Sequence, residues 1–199
     1  VYQDLAKINL AVQNQTMANE KALNDAFEFA LANDKPIHFL GLLSDGGVHS
    51  HTSHLKGLIE AAQAKGIQKM FVHAFTDGRD VDPKSGIQYV EDFEKFAQNT
   101  NARLASIIGR YYAMDRDKRW ERVKLAYDLI VNAEGEKSRN AVASIAESYL
   151  NDVTDEFIKP IVMVDENNEP IAKVKEGDVV IFFNFRTDRG RELTEALSQ

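Results

Sequence analysis

Cysteine is missing from all 199 residues, which excludes disulfide bridges, thiolate nucleophiles and cysteine-bearing zinc sites. A cysteine-free chain suits a reducing compartment, and the cytoplasm is the expected location. Also missing are an apolar run long enough to span a bilayer and a basic-then-apolar leader, and the mean hydropathy is -0.37. A soluble protein with no membrane partner is expected. Positive charge is in deficit as well, with a formal net charge of -7. Nucleic acid is therefore not an expected partner, because phosphate-backbone binding needs a broad basic surface, and any anion site must be local. Neither a P-loop, a GxGxxG nor a nucleophile elbow is present, so NTP binding, dinucleotide binding and serine-hydrolase chemistry have no fingerprint.

What is present suffices for one ample core: 44% of residues are hydrophobic and 28% charged. A single domain over residues 1–199 is the expectation. The chain starts at Val1 without an initiator Met and stops at Gln199 directly after the helix-like run Arg191 to Leu197. Both ends read as cut from something larger.

Leu23, Ala26, Phe27, Ala30 and Leu31 recur at helical period, which predicts a helix over about 19–33. After Pro36, Ile37 to Leu43 is a nearly continuous apolar run, as in a strand covered on both faces. It ends in the loop SDGGVHSH. Leu55, Leu58, Ile59 and Ala62 mark the next helix, which Gly66 is placed to stop. Met70 to Phe75 is a second strand ending in TDGRD. Asp82 then reads as an N-cap with Pro83 at the first helical position, before the face Ile87, Val90 and Phe93. Leu104 to Ile108 is a third strand running into GRYYAMDRD, followed by the helix face Trp120, Val123, Tyr127 and Ile130. Ser138 is expected to cap a helix through Val142, Ile145 and Tyr149. Ile161 to Val164 and Ile171 to Val174 flank the turn DENNEP as a small hairpin. Asp178 to Phe183 is the last strong strand, feeding NFRTDRGR and a helix that Asp188 could cap.

Alternating strands and helices predict an α/β fold: a mostly parallel sheet with helices on both faces, plus the small β-hairpin. Four motif-bearing loops would then follow strand C-terminal ends and line the crevice where open α/β sheets bind ligands.

Arg79, Arg110, Arg116, Arg186 and Arg189 sit in these loops, whereas Arg103, Arg119, Arg122, Arg139 and Arg191 lie elsewhere. A guanidinium fork matches carboxylate or phosphate bidentately, so several converging on one place imply a ligand with more than one anionic group. The competing explanation for any one of them is a surface ion pair. Asp80, directly after Arg79, could take a proton from a substrate hydroxyl or orient it, or could simply cap a turn, with Asp77 its neighbour. His49 in SDGGVHSH could donate or carry a proton. His49, His51 and His54 could alternatively suggest a metal site, but HSHTSH lacks an obvious fourth ligand and falls at a helix start. His38 and His73, inside apolar runs, read as satisfied core histidines. Ser44 and Ser50 read as turn or capping residues, and Phe182, Phe183 and Phe185 as core and crevice wall.

FLGLLSDGGVHSH, the DGRD loop, IGRYYAMDRDKRW and FFNFRTDRGREL together resemble the cofactor-independent (2,3-bisphosphoglycerate-independent) phosphoglycerate mutases. The motifs stand in that family's order over about Val1 to Leu193. The resemblance implies a two-domain isomerase of glycolysis. A phosphatase-like domain binds two Mn2+ ions and carries a nucleophilic serine, and an inserted domain, the part resembled, holds 2-phosphoglycerate or 3-phosphoglycerate. Carried over by motif, His49, Arg79, Asp80, Arg110, Arg116, Arg186 and Arg189 would contact substrate, with Asp80 handling the hydroxyl proton. The metal ligands and the phosphorylated serine have no counterpart in this stretch, so no metal site is expected in it and independent turnover is not. A freestanding module that only binds a small phosphorylated acid would carry the same loops.

Overall fold

A computed structural model describes residues 4–198; Val1 and Gln199, where the sequence reads as cut, lie outside them. In chain order the elements are α1 (Asp4–Gln13), a 3-10 turn (Met17–Asn19), α2 (Lys21–Ala32), β1 (Ile37–Leu42), α3 (Thr52–Ala64), β2 (Met70–Thr76), α4 (Gly86–Ala97) and β3 (Ala102–Gly109). There follow α5 (Arg110–Ala113), α6 (Trp120–Tyr127) with a wide turn (Asp128–Asn132), β4 (Glu136–Ser138), α7 (Ala141–Leu150), a 3-10 turn (Asp155–Phe157), β5 (Ile161–Met163), β6 (Val179–Phe182) and α8 (Arg191–Leu197).

Among the described residues six strands form one sheet in the order β4-β5-β3-β2-β1-β6. β6, β1, β2 and β3 run parallel, β5 is antiparallel to β3, and β4 is parallel to β5. β1 is buried at every position, as its continuous apolar sequence predicts for a strand covered on both faces. The two-residue alternation sorts its side chains. Ile37 and Phe39, with Val72 and Ala74 of β2, face a layer containing Phe27, Leu55, Ile59 and Phe93. Leu40, Leu42, Phe75 and Ile108 face the opposite layer, with Tyr112, Val123, Ala126 and Leu193. Helices therefore cover both faces, as the sequence predicts.

His38 and His73 are core histidines, as expected, and they belong to a polar chain crossing three strands. His38 Nε2 meets Asp178 Oδ2 at 3.3 Å, His38 Nδ1 meets His73 Nε2 at 3.0 Å, and His73 Nδ1 meets Ser106 Oγ at 2.7 Å. A register shift between Val72 and His73 skips Ala105 and brings Ser106 opposite His73. With Asp178 as the terminal acceptor, the chain is satisfied when both rings are neutral: Ser106 donates to His73, His73 to His38, and His38 to Asp178. Burial pushes both histidines below their usual value. Their folded pKa values lie below the unfolded one, so the unfolded chain takes up more protons as the solution is acidified. Folding stability should be unaffected by these two groups above about pH 7. It should decline below about pH 6.5 with a slope of up to ~1.4 kcal/mol per pH unit for each histidine. Urea unfolding at pH 7.5 and 5.5, compared with a His73→Gln variant, checks this: the variant should show the shallower loss.

Three capping expectations are corrected. Asp82 does not cap α4; its Oδ1 accepts from the Lys84 N–H at 2.9 Å, closing a turn one step earlier. The helix begins at Gly86, whose N–H donates to the distant Asp155 Oδ2 at 2.8 Å. Ser138 ends β4, and α7 is capped by Asn140, whose side chain accepts from Ala143 N–H at 3.0 Å. Asp188 does not cap α8, which starts after Gly190, because two arginines engage its carboxylate instead. Gly66 does end α3, at φ 99°. The hairpin turn is present, with Val164 bridging Pro170 and Ile171 N–H donating to Met163 O at 2.9 Å, but its second arm then departs to Ile130 through Val174. α1 has no fully buried residue, but Ile8, Ala11 and Val12 on one of its faces pack against the core.

Candidate functional site

β1, β2, β3 and β6 end on the same side of the sheet, so their four loops meet there. The anchor is Asp77, the first residue after β2. Its Oδ1 accepts the N–H groups of Arg79 (3.1 Å) and Asp80 (3.0 Å), a tight turn that Gly78 permits at φ 71°. Its Oδ2 accepts the Ser44 hydroxyl at 2.6 Å, tying in the loop after β1. Arg110, the first residue after β3, donates through Nη1 to Asp77 Oδ1 and Asp80 Oδ2, both at 2.7 Å. Burial pushes the Asp77 carboxyl upward, yet the bonds from Asp80 N–H, Ser44 and Arg110 outweigh it and hold it below the usual carboxylate range. Burial likewise lowers Arg110, and the bonds to Asp80 and Asp77 more than reverse this.

The loop after β6 is fastened to the loop after β1. Phe185 N–H donates to His49 O at 2.8 Å, and Asn184 Oδ1 accepts from Leu42 N–H at 2.9 Å. This places Asp188 beside His49. The imidazole lies between two carboxylates, with Nε2 3.9 Å from Asp80 Oδ2 and Nδ1 3.9 Å from Asp188 Oδ1. Both Nδ1 and Asp188 Oδ1 are buried without a hydrogen-bond partner. Burial first, then the charges of Arg110 and Arg186, lower His49 to about 4 despite Asp80 and Asp188, so the ring is neutral at pH 7. Asp188 Oδ2 accepts from Arg186 Nη2 at 3.0 Å and Arg116 Nη1 at 3.2 Å. Arg189 Nη1 donates to Met114 O at 3.2 Å. Burial lowers the Arg189 guanidinium, and so do the neighbouring charges of Arg116, Arg110 and Arg79. Arg79 reaches Glu156 Oε1 at 3.5 Å.

The structure thus gathers His49, Arg79, Asp80, Arg110, Arg116, Arg186 and Arg189 at the C-terminal ends of the parallel strands, in unequal roles. The side chains of Arg79, Arg116 and Arg186 are 51%, 49% and 44% exposed, whereas that of Arg110 is 3% exposed. Arg110 is a buried brace whose Nη1 bridges two carboxylates; the exposed three have donors free for an anion. Arg122, assigned elsewhere by the sequence, pairs with Asp115 at 3.2 Å and stacks over Tyr111. Residues the motif reading underused are Asp77, Asp188 and Glu156. Asp77 was visible as an Asp-Gly turn, and Asp188 as a lone acid between two arginines. Glu156 has no local signal. The histidines of HSHTSH go to separate partners: His51 Nδ1 accepts the Ser53 N–H at 3.1 Å as the α3 cap, and His54 Nε2 meets Asn9 Oδ1 at 2.6 Å. Among the described residues, no three His, Asp or Glu side chains are grouped to hold a metal ion.

Residues 8–199 match the family described as BPG-independent PGAM N-terminus. The 2,3-bisphosphoglycerate-independent phosphoglycerate mutase of Flavobacterium psychrophilum is 72% identical over 100% of this chain, and that of Flavobacterium johnsoniae 68% over the same span. The chain spans 39% of the length of each. A crystal structure of Leishmania mexicana phosphoglycerate mutase at low cobalt concentration superposes with a TM-score of 0.92 at 31% identity, over 99% of this chain and 38% of that one.

Proposed function

The chain belongs to the BPG-independent phosphoglycerate mutase family, and from that premise we propose that residues 1–199 form the single substrate-holding unit of an isomerase interconverting 2-phosphoglycerate and 3-phosphoglycerate. The observation that carries this reading is the clustering of these side chains at the strand ends. Guanidinium groups from three loops surround a neutral histidine and the Asp80 carboxylate, a donor set matched to a small acid bearing both carboxylate and phosphate.

In this reading the phosphoryl group passes to a serine in the phosphatase-like remainder of the protein and returns to the other hydroxyl. Arg186 and Arg189 clamp the glycerate carboxylate or the phosphate, and Arg79 and Arg116 close the cradle. Asp80 accepts and returns the hydroxyl proton while His49, uncharged, offers the hydroxyl a partner on either side. Arg110 keeps Asp80 aimed. Such a unit works by positioning and electrostatics in place of covalent chemistry. Among the described residues no three His, Asp or Glu side chains are grouped to hold a metal ion, and in this reading the Mn2+ pair that the resemblance implies is held by the remainder of the protein. A glycolytic role places the protein in the cytoplasm. No helix among the described residues is long and apolar enough to cross a membrane.

Arg186→Ala in the full-length protein tests the cradle. Losing one charge-assisted contact should remove about 1.5–3 kcal/mol of transition-state stabilisation, or ~10–150-fold in kcat/KM. Steady-state kinetics indistinguishable from the parent would take Arg186 out of the site.

A further inference from the structure

The 3-10 turn Asp155–Phe157 carries none of the motifs, yet it sits beneath two of the loops. Asp155 is completely buried, at 0% exposure. Its polar groups engage the surroundings of the loop after β2. Its N–H donates to Pro83 O at 2.9 Å, and its carbonyl accepts the Thr76 hydroxyl at 2.7 Å. Its Oδ2 accepts the Gly86 N–H at 2.8 Å, and its Oδ1 accepts the Tyr149 hydroxyl. The segment from Asp77 to Ser85 therefore wraps around one residue. Gly78 is pressed against it: a Cβ there would stand 3.0 Å from both Asp155 Cβ and Glu156 N.

The neighbouring residues brace the loop after β3. A Cβ on Gly109 would stand 2.3 Å from Glu156 O, and Gly109 N–H donates to Ile158 O at 2.8 Å. Gly109 directly precedes Arg110. One short turn thus abuts the bases of both loops that deliver Arg79, Asp80 and Arg110, and its own Glu156 also reaches Arg79. An apolar residue would fill the Asp155 position without desolvating a carboxylate. What the carboxylate adds is direction: two oxygens fix where the α4 N-terminus and Tyr149 stand, and negative charge suits the start of a 12-residue helix.

We infer that Asp155 is a positioning residue, which sets the DGRD loop, and through it Arg79 and Asp80, in the geometry that substrate turnover requires. This rests on the mutase reading above. The test uses the full-length protein, with kcat and KM for 3-phosphoglycerate measured at a temperature where far-UV circular dichroism shows each variant folded. Asp155→Ala should lower kcat/KM about tenfold or more, since a misplacement of ~1 Å is felt that strongly. Asp155→Asn, which keeps an acceptor for Gly86, should stay within about threefold of the parent. In a background carrying both Arg79→Ala and Asp80→Asn the Asp155→Ala loss should shrink to about threefold or less, because residues acting through one another are not additive. An unchanged kcat/KM for Asp155→Ala, or an equal loss in both backgrounds, overturns the inference. Should that variant fail to fold, Tyr149→Phe removes only the hydroxyl that holds Oδ1 and should lower kcat/KM at least threefold; an undiminished value overturns the inference equally. Full activity in Arg79→Ala and Asp80→Asn would sink the mutase roles of those residues and this inference with them. Impaired Arg79→Ala beside an unimpaired Asp155→Ala sinks this inference alone.

Discussion

Replacing Arg110 by alanine is expected to destabilise the fold by about 3–5 kcal/mol, the largest stability effect of any single change in the crevice. The guanidinium is 3% exposed and its Nη1 lies 2.7 Å from carboxylates of Asp77, 1% exposed, and Asp80, 18% exposed. Alanine leaves a void and two unneutralised acids, one of them out of reach of water. For a chain of this size the change corresponds to a drop of roughly 6–20 °C in Tm. The defect should also depend on pH in a defined direction. Asp77 has a folded pKa held below its ordinary value, so its contribution is present above about pH 4 and is lost as the solution is acidified further. The gap between parent and variant should therefore narrow on going from pH 7 to pH 3.5. Denaturant titrations at the two pH values measure this, and a gap under about 1 kcal/mol at pH 7 would mean that the loops hold without the brace.

The second large effect is on turnover. Asp80→Asn in the full-length protein should lower kcat by about 10²–10⁴, the usual span for losing a general base, with KM little changed. The amide keeps an acceptor for Arg110, so the fold should survive. That separates Asp80 from its neighbour: Asp77 faces Ser44, Arg110 and two backbone N–H groups, and has no capacity left for a ligand. Stopped assays of the 3-phosphoglycerate to 2-phosphoglycerate conversion would settle the matter. A loss under about fivefold would reduce Asp80 to a turn residue that holds Arg110.

How much of this could be read in the amino acids depends on the range of the interactions. β1, β2 and β3 were legible because parallel strands covered on both faces must be apolar at nearly every position, and their sequences are. The crevice was legible because its arginines cluster directly after those strands. The mistaken caps share one cause. Asp82, Ser138 and Asp188 are all good capping types at plausible positions, but each has a better partner nearby, and in α4 the capping acceptor comes from 69 residues away. Pattern reading sees propensity along the chain and not competition across it. Asp155 and Glu156 were silent for the same reason, since most of their partners lie about 70 or more residues away and nothing around them repeats. The unequal roles of the arginines were hidden too: burial separates Arg110 from Arg186, and a loop sequence does not encode burial by itself.

One wall of the crevice is suspended from the rim of the sheet. Among the described residues β6 has a single neighbouring strand, β1, and all four of its residues are only partly buried, unlike those of β1. Arg186, Asp188 and Arg189 all hang from that strand. Whenever that peripheral strand detaches the cluster must come apart with it, so amide exchange along Val179–Phe182 is a natural clock for its integrity.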